Sequence, residues 1–158
     1  MPPAPPDPTL MACRLISKFE GCRLSAYLDQ GGVATIGYGC TGPGIRLGIA
    51  WTQAQASAEL LRRVGGIEHV LSAMLDVPVN CNQSAALVSL CYNIGLKAFE
   101  NSTLRRILNQ RNYVAAAEQF PAWNHVGGQP NSGLTNRRRT ERALFLKPIA
   151  STLGTKVP

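Results

Sequence analysis

The sequence predicts an α+β fold in which one helix and a small β-sheet come first and a larger helical lobe follows. Residues 23–38 hold two short runs of β-branched, aromatic and aliphatic residues around a glycine turn, as is typical of a hairpin. From Thr52 onward strong helix formers dominate. With 158 residues, 45% of them hydrophobic, the chain is long enough for one sizeable core. A groove between two such lobes is a common place for a ligand site.

Both ends of the chain are predicted to lie outside this domain. Five of the first eight residues are prolines, which cannot join a helix interior and favour an extended segment. We therefore predict an extended tail over residues 1–8, a single two-lobed domain over residues 9–147 and a C-terminal tail over residues 148–158.

The first helix is predicted to follow the N-terminal tail. Apolar residues recur at helical spacing from Leu10 to Phe19, with Thr9 as the candidate N-cap and Gly21 as the stop. Glu20 is therefore expected at the C-terminal end of this helix.

The hairpin is predicted directly after this helix. Its strands cover residues 23–28 and 33–38, and the sequence DQGG at 29–32 has the chemistry of a tight turn. A third strand is predicted over residues 45–47, beyond a loop rich in glycine.

The helical lobe is predicted to begin at a capping box formed by Thr52 and Gln55. Gly65 and Gly66 are expected to kink or break that first helix. A central buried helix with Asn82 as its N-cap is predicted next, because its apolar residues are nearly continuous. Three further helices complete the lobe, over residues 102–109, 113–120 and 134–146.

Charge and composition limit the possible partners. Sixteen Lys and Arg against nine Asp and Glu give a net charge of +7, which favours nucleic acid, anionic membranes or acidic cell-wall polymers. Basic residues interleaved with exposed aromatics, or a known nucleic-acid motif, do not occur, so we expect no nucleic-acid partner. No apolar run approaches the roughly 20 residues of a membrane-spanning helix. The start also lacks the features of a signal peptide, so we expect synthesis and folding in a cytoplasm.

The five cysteines are far apart in sequence and show no Cys-X-X-Cys or Cys/His cluster of the kind that zinc sites use. Free cysteine is among the most often buried side chains. We therefore expect buried, reduced thiols and no metal site.

Two carboxyl groups near the hairpin suggest glycosidic chemistry. Hydrolysis of a glycosidic bond generally needs one protonated carboxyl group and one ionised carboxylate. Partial burial and the negative end of the helix dipole both favour the protonated form of Glu20, whereas the wetter turn keeps Asp29 ionised. Thr35, in the returning strand, can place its hydroxyl beside Asp29 and help to hold a water molecule. Each residue is also ordinary where it stands, and Glu20 could instead pair with an arginine of the last helix.

The run FEGCRLSAYLDQGGVATIGYGCTG resembles the signature of the bacteriophage-type lysozymes, or endolysins, of glycoside hydrolase family 24. That family has a Glu, an Asp and a Thr at the separations of Glu20, Asp29 and Thr35. The resemblance continues through LVSLCYNIGLKAFENSTLRRILN, the Trp123 region and GLTNRRRTERALF, so it covers about residues 10–147. It implies a lysozyme-like fold with the active-site cleft between the two lobes.

The resemblance implies that the substrate is peptidoglycan, cut without a cofactor at the β-1,4 bond between N-acetylmuramic acid and N-acetylglucosamine. Glu20 would be the general acid. Asp29 and Thr35 would position the attacking water or stabilise an oxocarbenium-like transition state, with an inverting course.

Four further residues are implied by the resemblance to line the cleft. Arg137 would pair with Glu20 across it, and Tyr92, Asn93 and Gln119 would contact substrate. Tyr92 has apolar neighbours in sequence and could equally be a core residue.

The resemblance further implies an endolysin that lyses the host at the end of a phage cycle. We expect a monomer that waits in the host cytoplasm until a holin lesion releases it to the cell wall. Two alternatives stay open. A lytic transglycosylase cuts the same bond but closes the muramic acid on itself and can work with one acid, and in a cationic binding protein the carboxylates would be incidental.

Overall fold

The structure is a computed structural model that describes residues 4–149. One helix and a two-stranded hairpin precede a larger set of helices, so the predicted α+β class is confirmed. Residues 1–3 of the predicted N-terminal tail and residues 150–158 of the predicted C-terminal tail lie outside the described residues.

The first helix, α1, spans Pro8–Glu20. Its N-cap is Asp7, whose carboxylate accepts hydrogen bonds from two backbone N–H groups of the first turn, so the predicted N-cap at Thr9 is wrong. Pro8, placed in the tail from the sequence, is the first helical residue, because its fixed φ suits that position. Gly21 ends the helix as predicted. Glu20 is thereby confirmed as the last residue of α1.

The predicted hairpin is confirmed. Strands β1 (Arg23–Leu28) and β2 (Ala34–Gly37) pair antiparallel. The backbone N–H of Asp29 donates to the carbonyl oxygen of Val33 at 3.0 Å and closes the turn between them.

Residues 45–47 do not form the predicted third strand. Three glycines between residues 42 and 48 adopt positive φ and turn the chain, which prevents an extended run. The hairpin instead meets the chain a few residues later, where Ala50 forms a bridge with Ser25. This contact leads the chain directly into the helical lobe.

Helix α2 (Gln53–Ala73) begins at the predicted capping box of Thr52 and Gln55, which is confirmed. The helix does not break at Gly65 and Gly66, because it runs through both residues. A glycine in a helix interior costs about 1 kcal/mol, and burial of apolar side chains on either side offsets this cost. The buried residues of α2 are Ala56, Leu60, Val64 and Leu71.

The N-cap of helix α3 (Cys81–Ile94) lies two residues earlier than predicted. Asn80, together with Gln83, forms a capping box, so the predicted N-cap at Asn82 is wrong. The side chain of Asn82 instead donates to the carbonyl oxygen of Lys147 at 2.9 Å. This bond ties the start of α3 to the end of the last helix.

The remaining elements are mostly short. They are α4 (Leu96–Glu100), α5 (Thr103–Asn109), α6 (Tyr113–Ala117), a 3₁₀ helix (Phe120–Trp123), the paired strands β3 (His125–Val126) and β4 (Gln129–Pro130), and α7 (Ser132–Leu146). The helices predicted over 102–109 and 134–146 are confirmed within two residues. The helix predicted over 113–120 is shorter, because the chain changes to a 3₁₀ helix ahead of Pro121.

Helix α3 is the centre of the helical lobe, since it packs against both α1 and α7. All residues from Ala85 to Cys91 are buried. Burying one leucine or phenylalanine side chain contributes about 1.5–3 kcal/mol. The fully buried aromatic and aliphatic side chains around α3 include Ile16, Leu87, Leu90, Phe99, Phe120 and Phe145. The core therefore packs α1 and α7 against the same central helix, α3.

The five cysteines are all free. Cys40 and Cys91 are buried as expected, whereas the other three are partly exposed. Burial raises the pKa of the Cys91 thiol to about 12, which keeps it protonated at neutral pH.

Two further properties concern membranes and metals. No helix within residues 4–149 combines the length and the apolar character needed to cross a bilayer. The same residues hold no group of three or more His, Cys, Asp and Glu side chains placed to bind a metal ion.

Candidate active site

Glu20 lies where α1 meets the hairpin. Ile16, one turn earlier on the same helix face, is buried in the core, and Glu20 follows it at the edge with its side chain 22% exposed. Its Oε1 accepts a hydrogen bond from Nη1 of Arg137 at 2.6 Å. The predicted pairing of these two residues is thus confirmed, although they are 117 positions apart in sequence.

Arg137 is 3% exposed and uses its whole guanidinium group. Besides the bond to Glu20, Nε donates to Oε1 of Glu141 at 3.1 Å, and Nη2 donates to the backbone oxygen of Ser89 at 3.1 Å. Each guanidinium nitrogen therefore has its own acceptor, and the planar group is held in one orientation.

Glu141 has no exposed surface and stands between two arginines. Its Oε1 also accepts hydrogen bonds from the hydroxyl of Ser89 at 2.7 Å and from Nη2 of Arg138 at 3.1 Å. Nε of Arg138 is 2.8 Å from Oε2 of Glu141, close enough for an ion pair, although the N–H is not aligned for a hydrogen bond. We call Ser89, Arg137, Arg138 and Glu141 the buried charge cluster.

Burial and pairing oppose each other within the buried charge cluster. Burial raises the pKa of Glu141, while Arg138, Ser89 and Arg137 oppose that rise. Burial also lowers the pKa of Arg138, against the attraction of Glu141. Charges this deeply buried are tolerated only when they are paired and hydrogen-bonded.

A close backbone approach shapes the other side of Glu20. A Cβ atom at Gly39 would lie 3.0 Å from Oε2 of Glu20, and Gly39 has a φ of +73°, so glycine is required there for two reasons. The hydroxyl of Tyr92 donates to the backbone oxygen of Tyr38, next to Gly39, at 2.5 Å. This bond anchors the segment after β2 to the central helix α3.

Tyr92 therefore has a structural role in addition to the predicted position near the site. Its ring is half-buried and packs against the core, and its hydroxyl lies 3.9 Å from Sγ of Cys40. Burial raises the pKa of Tyr92, and nearby Cys40 and Glu20 raise it further. The phenol is consequently a hydrogen-bond donor at neutral pH.

Asp29 is exposed at the tip of the hairpin. Its Oδ1 accepts hydrogen bonds from the backbone N–H groups of Gly31 at 2.9 Å and Val33 at 2.8 Å. The side chain thus closes its own turn, as aspartate commonly does.

Thr35 is only 3% exposed, and its hydroxyl donates to the backbone oxygen of Val33 at 3.0 Å. Among the hydrogen bonds of residues 4–149, none joins Thr35 directly to Asp29. Both side chains instead bind the same residue, because Val33 donates to Asp29 and accepts from Thr35. The link between them runs through the turn backbone.

The two remaining predicted residues lie in different places. Asn93 is exposed in the last turn of α3, next to Tyr92. Gln119 is half-buried beside a cavity of about 190 Å³ that it shares with Thr103, Leu104, Ala122 and Trp123. None of the contacts in the described part of the chain connects Gln119 with Glu20.

A cavity of about 490 Å³ is separate from the carboxyl groups of Glu20 and Asp29. It lies between α1 and α2 and is lined mainly by Leu10, Cys13, Leu60 and Leu61, with Tyr38 at one side. A glycan polymer requires an open surface with two carboxyl groups. We therefore place the candidate active site at Glu20 and Asp29 instead of at this apolar cavity.

Four residues of the site were not predicted from the sequence. They are Gly39, Ser89, Arg138 and Glu141. Two signals were available: Ser89 is a polar residue inside an apolar helix, and Arg137 and Glu141 have the i, i+4 spacing that places both on one helix face.

Two carboxyl groups, one held by a buried arginine and one exposed on the hairpin turn, are the kind of groups that glycoside hydrolysis uses. A model of the phage lysozyme family matches residues 17–141. The endolysin of Salmonella phage P22 is 45% identical over 136 residues, which cover 83% of this chain and 92% of that protein. The SAR-endolysin of Enterobacteria phage P21 is 35% identical over 127 residues, covering 80% and 77%.

Solved structures show the same similarity. The endolysin from Escherichia coli O157:H7 phage FAHEc1 has a TM-score of 0.78 at 37% identity, covering 86% of this chain and 90% of that chain. The muramidase domain of SpmX from Asticaccaulis excentricus has a TM-score of 0.80 at 35% identity, covering 87% and 95%. The chain belongs to the phage lysozyme family, which confirms the lysozyme-like fold. It is a lysozyme that lyses peptidoglycan, and the transglycosylase alternative is not favoured.

Proposed function

We propose that this lysozyme hydrolyses the β-1,4 bond between N-acetylmuramic acid and N-acetylglucosamine with Glu20 as the general acid. The observation that carries this proposal is the hydrogen bond between Oε1 of Glu20 and the buried Arg137. A general acid must be held within reach of the leaving oxygen, and a buried guanidinium fixes the carboxyl group more firmly than a surface residue does.

The two oxygens of Glu20 have different roles in this mechanism. Oε1 accepts from Arg137, so a proton on that oxygen would face a donor. When Glu20 acts as the acid in this proposal, it donates the proton from Oε2, which faces Gly39 and is not used by Arg137. Proton donation from Oε2 assists departure of the leaving group.

In this proposal Asp29 and Thr35 position the water molecule that attacks the sugar. The turn uses Oδ1 of Asp29, which leaves Oδ2 to accept a hydrogen bond from water at the exposed tip. The Thr35 hydroxyl donates to Val33 and keeps lone pairs that can accept from the same water. Attack by such a water on the face opposite the leaving group gives inversion, for which the carboxyl groups stand roughly 6.5–9.5 Å apart.

We propose that three polar residues, Tyr92, Asn93 and Gln119, contact the glycan. Asn93 is exposed beside Tyr92 at the end of α3, where its amide can bond to sugar hydroxyl or acetamido groups. Gln119 lies further along the helical lobe and would meet a more distant sugar.

Delivery to the wall is proposed to depend on a holin. A monomer would wait in the host cytoplasm until membrane lesions open, and its net charge of +7 would then attract it to the anionic wall. The names of the relatives, which include endolysins of several phages, support a phage lytic enzyme that acts on the cell wall. Expression with and without a holin tests the proposed delivery, since lysis should require the holin.

The chemical test is mass spectrometry of fragments released from purified peptidoglycan. Wild-type protein should release hydrated reducing-end muramic acid, and Glu20→Gln should lower the rate by about 10³-fold or more, since proton donation is lost. Glu100→Gln is the matched control, because Glu100 is a surface carboxylate paired with Lys97. Its product and rate should equal those of the wild type.

Each alternative has a distinct outcome in the same experiment. Anhydro-muramic ends would identify a transglycosylase. Equal wall binding by wild type and Glu20→Gln with no glycan cleavage by either would identify a cationic binding protein. Near-normal cleavage by Glu20→Gln would remove Glu20 from the role of general acid.

A further inference from the structure

We infer that Glu141 is a positioning residue of this lysozyme: it fixes the guanidinium of Arg137 and, through it, the carboxyl group of Glu20. This inference rests on the proposed role of Glu20 as general acid. Glu141 makes no contact with Glu20 itself among the described contacts, so it would act through Arg137 alone.

The geometry of Arg137 supports this role. Its side chain has several rotatable bonds, so one hydrogen bond to Glu20 would leave the guanidinium free to swing. Glu141 holds Nε at 3.1 Å and Ser89 holds Nη2 at 3.1 Å, which fixes the plane of the group. Nη1 is then aimed at Glu20 before any substrate binds.

The hydrogen bonds of Glu141 converge on one atom. Its Oε1 accepts from Nε of Arg137, from Nη2 of Arg138 and from the hydroxyl of Ser89. A carboxylate that only neutralised Arg138 would not need to share this oxygen with Arg137. Because these three groups share one acceptor atom, the orientation of Arg137 depends on the packing inside the helical lobe.

The location of Glu141 makes the coupling rigid. The residue is fully buried between α3 and α7, where protein interiors are packed as densely as organic crystals. Ser89 orients Glu141 from α3, and Glu141 lies one turn after Arg137 on α7. The site arginine is therefore held by the two helices that form the centre of the core.

Glu141 also neutralises buried arginines, so its removal affects stability as well as positioning. Three variants separate these effects. Glu141→Gln removes the charge, and Glu141→Asp keeps the charge but withdraws the carboxylate by one methylene group. Glu118→Gln is the matched control, since Glu118 pairs with Arg142 of the same helix at the surface and does not contact Arg137.

The first measurement is kcat and KM on soluble glycan strands, per folded molecule. We expect Glu141→Asp and Glu141→Gln to lower kcat about ten- to hundredfold with little change in KM, because a misplaced acid weakens the chemical step. Glu118→Gln should keep wild-type kcat and KM.

The second measurement follows the Nε–H group of Arg137 by NMR. Its signal is identified by its loss in Arg137→Lys. In the wild type and in Glu118→Gln this proton should be protected from exchange with water, and Glu141→Asp should speed its exchange about tenfold or more, since a hydrogen bond is lost.

Three results would overturn the inference. They are an unprotected Arg137 Nε–H in the wild type, unchanged exchange in Glu141→Asp, and wild-type kcat in a folded Glu141→Asp. If Glu141→Gln does not fold, the charge-preserving aspartate variant and the wild-type spectrum still decide. Failure of the proposed function would instead appear as near-normal cleavage by Glu20→Gln, whatever the exchange of the Arg137 proton.

Discussion

The two carboxyl groups of the site are held in opposite ways. Glu20 bonds to an arginine from the far end of the chain, and that arginine is buried among charged partners. Asp29 bonds to backbone N–H groups two and four residues away and is exposed at the tip of a turn. The position of the Glu20 carboxyl group depends on the whole tertiary structure, whereas that of the Asp29 carboxyl group depends on five consecutive residues.

The site thus combines one carboxyl group in a precisely fixed position with another that solvent can reach. The buried charge cluster is costly to desolvate, so it is stable only with all partners in place. In return it holds Arg137 in a fixed position against the carboxyl group of Glu20. The turn around Asp29 needs no core, because backbone donors and the glycine-rich sequence suffice. Such a group stays in contact with solvent water, which is the second reactant.

The strongest test of this comparison is stability. Arg137→Gln should lower the free energy of unfolding by about 3–5 kcal/mol, because it leaves Glu141 with one buried partner fewer. Asp29→Asn should change it by less than about 1 kcal/mol, because the amide oxygen can still accept both turn bonds. Urea unfolding of both variants provides the measurement.

The same two variants should both lose most lytic activity on purified walls, so activity alone does not distinguish them. Asp29→Ala, which also removes the turn bonds, serves as a control for the local contribution. Comparable destabilisation by Arg137→Gln and Asp29→Asn would contradict the division between a global and a local carboxyl group.

An intermediate effect is expected at Gly39, on the open side of Glu20. Gly39→Ala should lower lytic activity about ten- to hundredfold, because its Cβ would lie 3.0 Å from Oε2 and displace the carboxyl group. Gly44→Ala is the control, since Gly44 also has a positive φ but nothing within 4 Å of the added atom. An equal loss of lytic activity in the two variants would show that backbone strain at the substituted glycine, and not contact with Glu20, causes the loss.

The smallest effect is expected for an ion pair at the surface. The hydrogen bond with Arg62, helped by Arg63, lowers the pKa of Glu59 from 4.5 to about 2. The stabilisation that this ion pair gives to the folded state is therefore present above pH 4.5 and is lost as the pH falls through about 2. Glu59→Gln should cost less than about 1 kcal/mol at neutral pH because solvent screens such pairs.

Thermal unfolding of the wild type and Glu59→Gln between pH 2 and pH 7 measures this effect, and the difference should shrink toward the acid end. A difference that grows on acidification would reverse the assigned sign. The contrast with Arg137→Gln then gives the relative weight of buried and exposed charges in this molecule.

The local features of the fold were only partly predictable from the sequence. The hairpin and the capping box at Thr52 follow from residues close together in the chain, and both are confirmed. The predicted strand over residues 45–47 is wrong, because glycine turns outweigh the β propensity of so short a run. Gly65 and Gly66 do not break α2, because tertiary packing outweighs helix propensity.

The candidate site was also only partly predictable from the sequence. The positions of Glu20, Asp29 and Thr35 were predicted from spacing and resemblance, and the Glu20–Arg137 contact was predicted from the resemblance. Ser89 and Glu141 were missed because they meet across two helices, and sequence periodicity alone does not show which buried polar residues of different helices meet. Their roles become visible only once α3 and α7 are packed together.

The bond between Glu20 and Arg137 joins the first helix to the last one. During synthesis the ribosome makes Glu20 early and Arg137 117 residues later. A nascent or truncated chain without α7 therefore has the Glu20 carboxyl group but not the arginine that positions it. With Glu20 as the proposed proton donor, we expect lytic activity only from chains in which α7 has been made.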